Sequence, residues 1–262
     1  MICTICPRRC GGIRTEQRGT GICKMPALPV VARASLHPWE EPCISGTRGS
    51  GTVFFSGCAL RCGFCQNEPI SLGGFGKPIS VSRLREIFEE LVRQGATNIN
   101  LVTPTQFALP IFEALRAPLP VPVAWNSGGY DSVSALRLLE GKIQIYLPDF
   151  KYADPELARL CSGAEDYFAV AKAAVSEMVR QTGPCVLDGN GLLRRGVLIR
   201  HLMLPGKLQN TKAVIDFVAN AFPPGAVWFS LMSQYVPMDG ARSWGWAAGL
   251  LRESIMRPGT TL

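Results

Sequence analysis

The sequence predicts an α/β fold in which about six parallel strands form an open or partial barrel. After residue 50, short apolar runs rich in β-branched and aromatic residues alternate with segments of helical periodicity. The links between these segments are short, which is typical of parallel strands joined by right-handed crossovers. The strand number falls short of the eight of a closed barrel, and a doubly wound sheet is the alternative.

Each element has its own signal in the sequence. Residues 1–50 are rich in Gly, Pro, Arg and Cys, show no sustained periodicity and are predicted to be loops. The predicted strands are TVFFSG (52–57), NINLV (98–102), VPVAWNS (121–127), IQIYLPDFK (143–151), GVLIRHLML (196–204) and AVWFSLMSQ (226–234). The predicted helices are the periodic segment from Leu84 to Val92, a short helix in 105–117 interrupted by Pro110, SVSALRLLEG (132–141), a long helix around 163–182, and 211–222.

Composition and charge limit the class of protein. Hydrophobic residues make up 47% of the chain and charged residues 18%, which is typical of a globular protein. No run of about 18 apolar residues predicts a membrane span, and the N-terminal residues lack the apolar segment of a secretory signal, so we expect a cytoplasmic protein. The net charge of +7 is scattered, which indicates a solvated surface without a nucleic-acid footprint; an acidic partner or anionic substrate is the alternative.

The ten cysteines are the most informative residues. Disulfides are rare in the cytoplasm, so clustered thiols there more often bind metal or carry out redox chemistry. Two clusters precede residue 66, and Cys43 lies between them without a clear role. Cys161 and Cys185 stand alone and are predicted to be small core or loop residues.

The second cluster reads GCALRCGFCQN and places Cys58, Cys62 and Cys65 directly after the first predicted strand. The carboxyl ends of parallel strands are where ligands bind in α/β folds, so this loop lies at the expected site. Four thiolates would saturate a structural zinc ion or a plain iron–sulfur cluster, whereas three leave one metal position open. A zinc site that takes a fourth ligand from elsewhere is the alternative.

The C-x3-C-x2-C spacing, with the aromatic Phe64 before the last cysteine, resembles the signature of the radical S-adenosylmethionine (radical SAM) enzymes. The segments EEPCISGTRGSGTVFFSGCALRCGFCQN, YLPDFKYAD, RRGVLIRHLMLPG and SLMSQYVP are similar to the PflX-like branch related to pyruvate formate-lyase activating enzymes. This resemblance extends from residue 1 to about residue 238. It implies a partial (β/α)6 radical SAM barrel whose three cysteines hold a [4Fe–4S] cluster, with SAM on the fourth iron.

The resemblance also implies contacts to SAM or substrate at the ends of later strands. Where the superfamily often has Gly-Gly-Glu, this chain has VTPTQ, so Thr103 and Thr105 are candidates for the SAM amino group without a carboxylate. Asn126 and Ser127 in WNSGGY would lie near the ribose or the substrate. A tight turn that requires glycine explains the WNSGGY segment equally well.

Two charged pairs interrupt apolar strands. Asp149 and Lys151 are two residues apart and share one side of a strand, which favours a site pair that binds cofactor or acts in catalysis; a surface pair is the alternative. The dipeptide Arg200-His201 interrupts the strand VLIRHLML. A structural ion pair explains it, or His201 contacts SAM or protonates the substrate.

The first cluster contains Cys3, Cys6, Cys10 and Cys23 in a loop-rich segment. Four thiolates suit a tetrahedral zinc ion, which would supply the folding energy that such a segment lacks. An auxiliary iron–sulfur cluster has the same ligand chemistry, and the spacing alone does not choose between the two.

These observations divide the chain into a Cys-rich metal-binding extension (1–50), a radical SAM barrel (51–240) and an atypical tail (241–262) that departs from the resembled branch. The implied activity is reductive cleavage of SAM to a 5′-deoxyadenosyl radical, with an electron donor such as flavodoxin or ferredoxin. The substrate would be either a protein on which a glycyl radical is made or a small molecule. A non-catalytic zinc-binding scaffold is the hypothesis from a different class.

Overall fold

A computed structural model describes residues 2–244 as a mixed sheet with helices on its outer face. The strands are β1 (Val30–His37), β2 (Ser50–Phe55), β3 (Lys77–Pro78), β4 (Ile99–Val102), β5 (Val123–Ser127), β6 (Ile145–Pro148), β7 (Val186–Leu187), β8 (Leu193–Leu202) and β9 (Trp228–Met232). The α-helices are α1 (Pro42–Ser45), α2 (Glu68–Ser71), α3 (Val81–Arg93), α4 (Ala108–Ala114), α5 (Val133–Leu138), α6 (Pro155–Ser162), α7 (Tyr167–Thr182) and α8 (Leu208–Ala221). Short 3₁₀ turns occupy Thr105–Phe107 and Asp239–Trp244.

Six of the strands are parallel and lie side by side in chain order: β2, β4, β5, β6, β8 and β9. A doubly wound sheet reverses its strand order at a switch point, and the parallel strands in the described part of the chain show no such reversal. Each parallel pair is joined through at least one helix, as a right-handed crossover requires. The prediction of an α/β fold built on six parallel strands is confirmed.

Apolar residues form two cores, one on each face of the curved sheet. The outer core lies between the sheet and the helices and contains the largest buried side chains, among them Trp125 and Tyr146. The inner core is smaller and gathers Ile44 of α1 against Ala124, Leu147 and Leu198. Because the inner face holds a four-residue helix instead of a helix layer, the architecture is a partial barrel.

The short helix α1 closes the inner face at the amino ends of the strands. The carbonyl of Ile44 accepts hydrogen bonds from Asn98 Nδ2 at 2.7 Å and from Thr97 Oγ1 at 3.0 Å. Both of these residues precede β4. The barrel interior is therefore filled at this end by residues that lie before the first parallel strand in the chain.

Strand β1 was not predicted, because residues 1–50 were expected to be loops. It pairs antiparallel with β2, and β3 pairs antiparallel with β1. In the sequence VVARASLH, Arg33 and Ala34 are exposed and only Val30 is fully buried, so the strand lacks the apolar run of the buried strands. These two added strands, β1 and β3, cover the free edge of β2, and within residues 2–244 the barrel stays open.

Two helix predictions differ from the structure. Pro110 does not interrupt α4, because it lies in the first turn, where the backbone N–H has no partner within the helix. The long helix begins at Tyr167 and not at 163, since a separate helix, α6, ends at Gly163 in a left-handed conformation with φ of 55°. The signal for α6 was present in the sequence: Asp154 caps it, and Pro155 occupies its first position.

Among residues 2–244, no helix combines the length and the apolar composition needed to cross a membrane. The atypical tail lies outside the described residues from 245 onwards. The division of the chain at residues 50 and 240 stays a prediction.

Candidate functional site

The three cysteines of the C-x3-C-x2-C motif lie in the loop after β2, at the carboxyl ends of the parallel strands. Cys62 is buried, and Cys58 and Cys65 are partly buried. Gly57, directly before the loop, has a φ of 74°, and a Cβ atom there would lie 2.3 Å from Cγ of Met25. Only glycine fits this position, because the N-terminal segment packs directly onto the start of the loop.

Hydrogen-bond donors point at each of the three sulfur atoms. They are the backbone N–H groups of Arg61 and Leu60 at Cys58, Ser162 Oγ at 3.1 Å from Cys62 Sγ, and Ser71 Oγ at 3.1 Å from Cys65 Sγ. Such donors favour a thiolate, whereas burial raises the pKa of the Cys58 thiol to about 12 and favours the proton. A metal that replaces the proton satisfies both influences, so the loop suits thiolate ligation.

The spacing of the thiols bears on the kind of metal that fits. Among residues 2–244, no three Cys, His, Asp or Glu side chains stand close enough together to hold one ion. A cubane [4Fe–4S] cluster does not need such a set, because each of its thiolates binds a different iron. Three buried or partly buried cysteines with donors aimed at their sulfurs therefore fit a cluster with one iron left open.

Four charged side chains form a line across the inner face of the sheet. Lys151 Nζ lies 2.6 Å from Asp149 Oδ2, and the other carboxylate oxygen lies 3.1 Å from Arg200 Nη2. Arg200 Nη1 continues the line to Glu40 Oε1 at 2.9 Å. The side chains are only 12–21% exposed, and the alternating signs leave no net charge. We refer to Glu40, Arg200, Asp149 and Lys151 as the charged line.

The charges of the line are mutually stabilised. Burial alone would raise the pKa of Asp149, but Lys151 and Arg200 outweigh it and hold this pKa below its ordinary value. Burial would likewise lower the pKa of Lys151, and the Asp149 carboxylate raises it instead. Lys151 Nζ also lies 5.9 Å from the ring centroid of Phe64, the aromatic residue of the cysteine motif. The line therefore runs from the barrel interior to the cysteine loop.

Glu40 fixes two asparagines beside the line. Its Oε2 accepts hydrogen bonds from Asn100 Nδ2 at 2.9 Å and from Asn126 Nδ2 at 3.1 Å. Asn126 Oδ1 accepts a third bond from Arg200 Nη2 at 2.6 Å. Asn126, a predicted contact of the ribose or substrate, thus has its amide oriented by protein groups, and its role towards a ligand stays a prediction.

Thr105 and Ser127 share one buried carboxylate. Thr105 Oγ1 donates to Asp131 Oδ1 at 2.6 Å, and Ser127 Oγ donates to Asp131 Oδ2 at 2.5 Å. Burial raises the pKa of Asp131 against the effect of these bonds. Because both hydroxyl protons are used, the two residues could meet a cofactor only as hydrogen-bond acceptors.

Thr103 follows β4 with a φ of 56°, which is rare for a β-branched residue. Gln106 Nε2 lies 2.8–2.9 Å from the carbonyl oxygens of Thr103, Ser56 and Gly57 and shares its two N–H groups among them, and so joins the end of β4 to the start of the cysteine loop. Strain of this kind persists where surrounding bonds enforce it, and it concentrates at functional sites.

Replacing Thr103 with glycine should stabilise the protein by roughly 1 kcal/mol, because the left-handed conformation costs a β-branched residue about 1–2 kcal/mol and costs glycine little. Urea unfolding measures the change. Thr103→Ala is the control: alanine keeps a Cβ atom and should give a smaller gain. Equal stability of the wild type and the glycine variant would show that the backbone is not strained here.

His201 does not lie with the other predicted site residues. Its ring is fully buried and faces α8: Nδ1 lies 2.6 Å from the carbonyl oxygen of Phe150, and Nε2 lies 3.0 Å from Thr211 Oγ1. Burial lowers its pKa. Neighbouring residues of a strand point to opposite faces, so Arg200 enters the barrel while His201 enters the outer core. Within this structure His201 is a satisfied core histidine and is not brought to the site.

The remaining cysteines fall into two groups. Cys161 is buried in α6, as expected of a core residue, and Cys43 and Cys185 are partly buried against the inner core. The four thiols of the first cluster line one small cavity next to the Cys58 loop; they are Cys3, Cys6, Cys10 and Cys23.

Sequence reasoning missed Glu40 and Arg8. Glu40 reaches Arg200 across 160 residues of sequence, and only the acidic pair before Pro42 hints at a role for it. Arg8 binds carbonyls of the Cys58 loop and was read as part of a scattered surface charge. Its place between Cys6 and Cys10 was the available signal.

Comparison with models of known protein families finds no match. Among curated proteins, the chain is 30% identical over 255 residues to the uncharacterised protein MJ0674 of Methanocaldococcus jannaschii, covering 92% of this chain and 68% of the relative. Solved structures with a partial likeness include methylornithine synthase (PylB), with a TM-score of 0.49, 14% sequence identity and 76% of this chain covered. Streptococcus suis SuiB bound to S-adenosylmethionine has a TM-score of 0.47, 13% sequence identity and 70% of this chain covered. The chain spans 57% and 40% of their respective lengths.

Proposed function

The chain belongs to the same family as the Methanocaldococcus jannaschii protein MJ0674, and from that premise we propose that it is a radical SAM iron–sulfur oxidoreductase. One observation carries the proposal: three cysteines in C-x3-C-x2-C spacing, each with hydrogen-bond donors aimed at its sulfur, lie at the carboxyl end of the first of six parallel strands. Three thiolates leave one iron of a cubane open, which is the position that SAM requires.

Cys58, Cys62 and Cys65 would hold the cluster. The cluster would pass one electron from a reduced donor such as flavodoxin or ferredoxin to SAM, and this would supply hydrogen-abstraction chemistry by cleaving SAM to methionine and a 5′-deoxyadenosyl radical. Asp149 and Lys151 place a fixed pair of opposite charges beside the loop, which suits the carboxylate and ammonium groups of the methionine part of SAM.

Residues at the other strand ends complete the proposed pocket. The strained turn at Thr103 lies at the end of β4, beside the start of the cysteine loop, where a polar group of SAM can reach it. Below this level the charged side chains of the line pair with one another, so the floor of the proposed pocket carries no net charge.

The direct test is SAM cleavage by the full chain after anaerobic reconstitution with iron and sulfide. With dithionite, the protein should release 5′-deoxyadenosine and methionine in equal amounts, slowly in the absence of substrate, as measured by chromatography. Intact SAM in the presence of a loaded and reduced cluster would contradict the proposal and favour a non-catalytic scaffold.

Within this activity we propose a glycyl-radical activating role on a partner protein, by resemblance to activating enzymes, and a small-molecule substrate is the alternative. Deuterium transfer separates them. Cells are grown on deuterated medium, and their extract is divided by ultrafiltration into a protein fraction and a small-molecule fraction. Each fraction is then added separately to the reaction. Deuterium in 5′-deoxyadenosine from the protein fraction alone supports the activating role, and label from the small-molecule fraction alone contradicts it.

A further inference from the structure

The first cysteine cluster forms a second site that the proposed reaction does not use. Its four thiols come from a segment of 21 residues and line one cavity, whose wall also includes Ala59 and Gln106. Cys10 is exposed, so this set is not simply apolar filling of the core. All four are free thiols in this structure.

The backbone around these thiols donates hydrogen bonds to sulfur. Cys10 Sγ faces the N–H groups of Ile22 and Gly12, and Cys6 and Cys23 face those of Arg8 and Met25. Donors of this kind stabilise thiolates. The guanidinium of Arg14 adds a positive charge, with Nη1 3.8 Å from Cys3 Sγ.

Two glycines allow the loops to meet at this cavity. A Cβ atom on Gly12 would lie 2.3 Å from Cα of Gly21, so the chain segments that carry Cys10 and Cys23 touch through their backbones. A Cβ atom on Gly21 would lie 2.9 Å from Cys10 Sγ. The glycines therefore permit the convergence of thiols that are far apart along the chain.

Arg8 connects this site to the other cysteine loop. It lies between Cys6 and Cys10, and its side chain donates to the carbonyls of Ala59 at 2.8 Å and Leu60 at 3.3 Å. Both of those residues lie between Cys58 and Cys62. The same guanidinium also binds the carbonyls of Ser162 and Gly163 at the end of α6. A group that orders the Cys6–Cys10 loop therefore also orders, through Arg8, the backbone between Cys58 and Cys62.

We propose that Cys3, Cys6, Cys10 and Cys23 bind an iron–sulfur cluster, and that this cluster orders the Cys58–Cys65 loop through Arg8. The four thiols do not stand close enough together for a single ion, whereas each thiolate of a cubane cluster binds a different iron. The centre shares no ligand with the radical SAM site and does not depend on that activity.

Metal content tests the first half of the proposal. The full chain carrying Cys58→Ser, Cys62→Ser and Cys65→Ser is purified anaerobically, so that only the first cluster can bind metal. We expect about four irons with matching sulfide per chain, and one zinc ion in place of the iron would contradict the cluster. Adding Cys3→Ser, Cys6→Ser, Cys10→Ser and Cys23→Ser should remove that metal, whereas adding Cys185→Ser should not. Metal content that is the same with and without the four N-terminal cysteines would overturn the proposal.

Hydrogen exchange tests the second half in the same background. Removing the metal with a chelator should speed exchange of the amides of residues 58–65 at least tenfold, and Arg8→Gln should do so with the metal still bound. Arg18→Gln, at an exposed arginine of the same segment, is the matched control and should change neither. If Arg8 only stabilises the fold, exchange of the amides of residues 58–65 will be the same with and without the metal. That result would overturn the proposed coupling between the metal centre and this loop. Circular dichroism of each variant establishes that the comparison is between folded proteins.

Discussion

Replacing Cys62 with alanine should abolish both the cluster and the cleavage of SAM. Cys62 is the buried member of the motif, and its sulfur accepts a hydrogen bond from Ser162 Oγ at 3.1 Å with Tyr152 Oη 3.8 Å away. Two thiolates cannot hold a cubane that leaves an iron open, since three irons need a protein ligand. The yield of 5′-deoxyadenosine should fall to the background of the assay, and iron and sulfide should each fall by about four per chain, so that only what the N-terminal cysteines bind remains.

The matched control is Cys161→Ala. Cys161 is a buried thiol of α6 near Cys62, and it is outside the motif. The Cys161→Ala variant also loses one buried sulfur atom close to Cys62, so its free energy of unfolding should fall. Its iron content and its cleavage of SAM should be retained. If Cys161→Ala loses the cluster as completely as Cys62→Ala, the effect comes from damage to the core, and ligation by Cys62 is not supported.

Replacing Arg200 with methionine should destabilise the protein by about 3–5 kcal/mol, because it leaves two buried carboxylates, Glu40 and Asp149, without the cation between them. Since a stability change of 1 kcal/mol moves the melting temperature by about 2–4 °C at this chain length, the expected loss is on the order of 10 °C. Thermal and urea unfolding measure it.

Two further variants identify the cause of that loss. Arg194→Met removes an arginine that lies 4.0 Å from Asp188 at the surface, and it should cost no more than about 1 kcal/mol. Adding Glu40→Gln to Arg200→Met removes one of the stranded charges and should restore part of the stability. A double variant less stable than Arg200→Met alone would contradict the account of an uncompensated charge.

The features that the sequence predicted well are those with local signals. The Cys58–Cys65 loop is a motif within eight residues, and the parallel strands are short apolar runs such as INLV and IYLP. Asp149 and Lys151 could be paired in advance, because residues two apart on a strand share a side. For the same reason His201 and Arg200 had to point apart, and the choice of which faced the interior needed the fold.

The features that the sequence did not predict depend on contacts between segments that are distant along the chain. Strand β1 is half exposed and gains its order from β2, so its own sequence lacks a strong strand pattern. Glu40 is a loop residue with no periodicity, and its role comes from Arg200, Asn100 and Asn126. The hydrogen bond from Gln106 holds Thr103 in a left-handed conformation, and a threonine in the sequence does not predict that conformation.

The helix α1 and Glu40 inside the barrel have a consequence for how the chain is made. Glu40 meets Arg200 160 residues later in the sequence, and Arg8 meets Ser162 154 residues later. At ribosomal rates of about 5–20 residues per second, synthesis of that interval takes roughly 8–32 s. During that time the cysteine-rich beginning of the chain has left the ribosome without its partners. Its thiols are then open to oxidation and to the wrong metal, so the yield of correctly loaded protein should depend on the redox state and metal supply during translation.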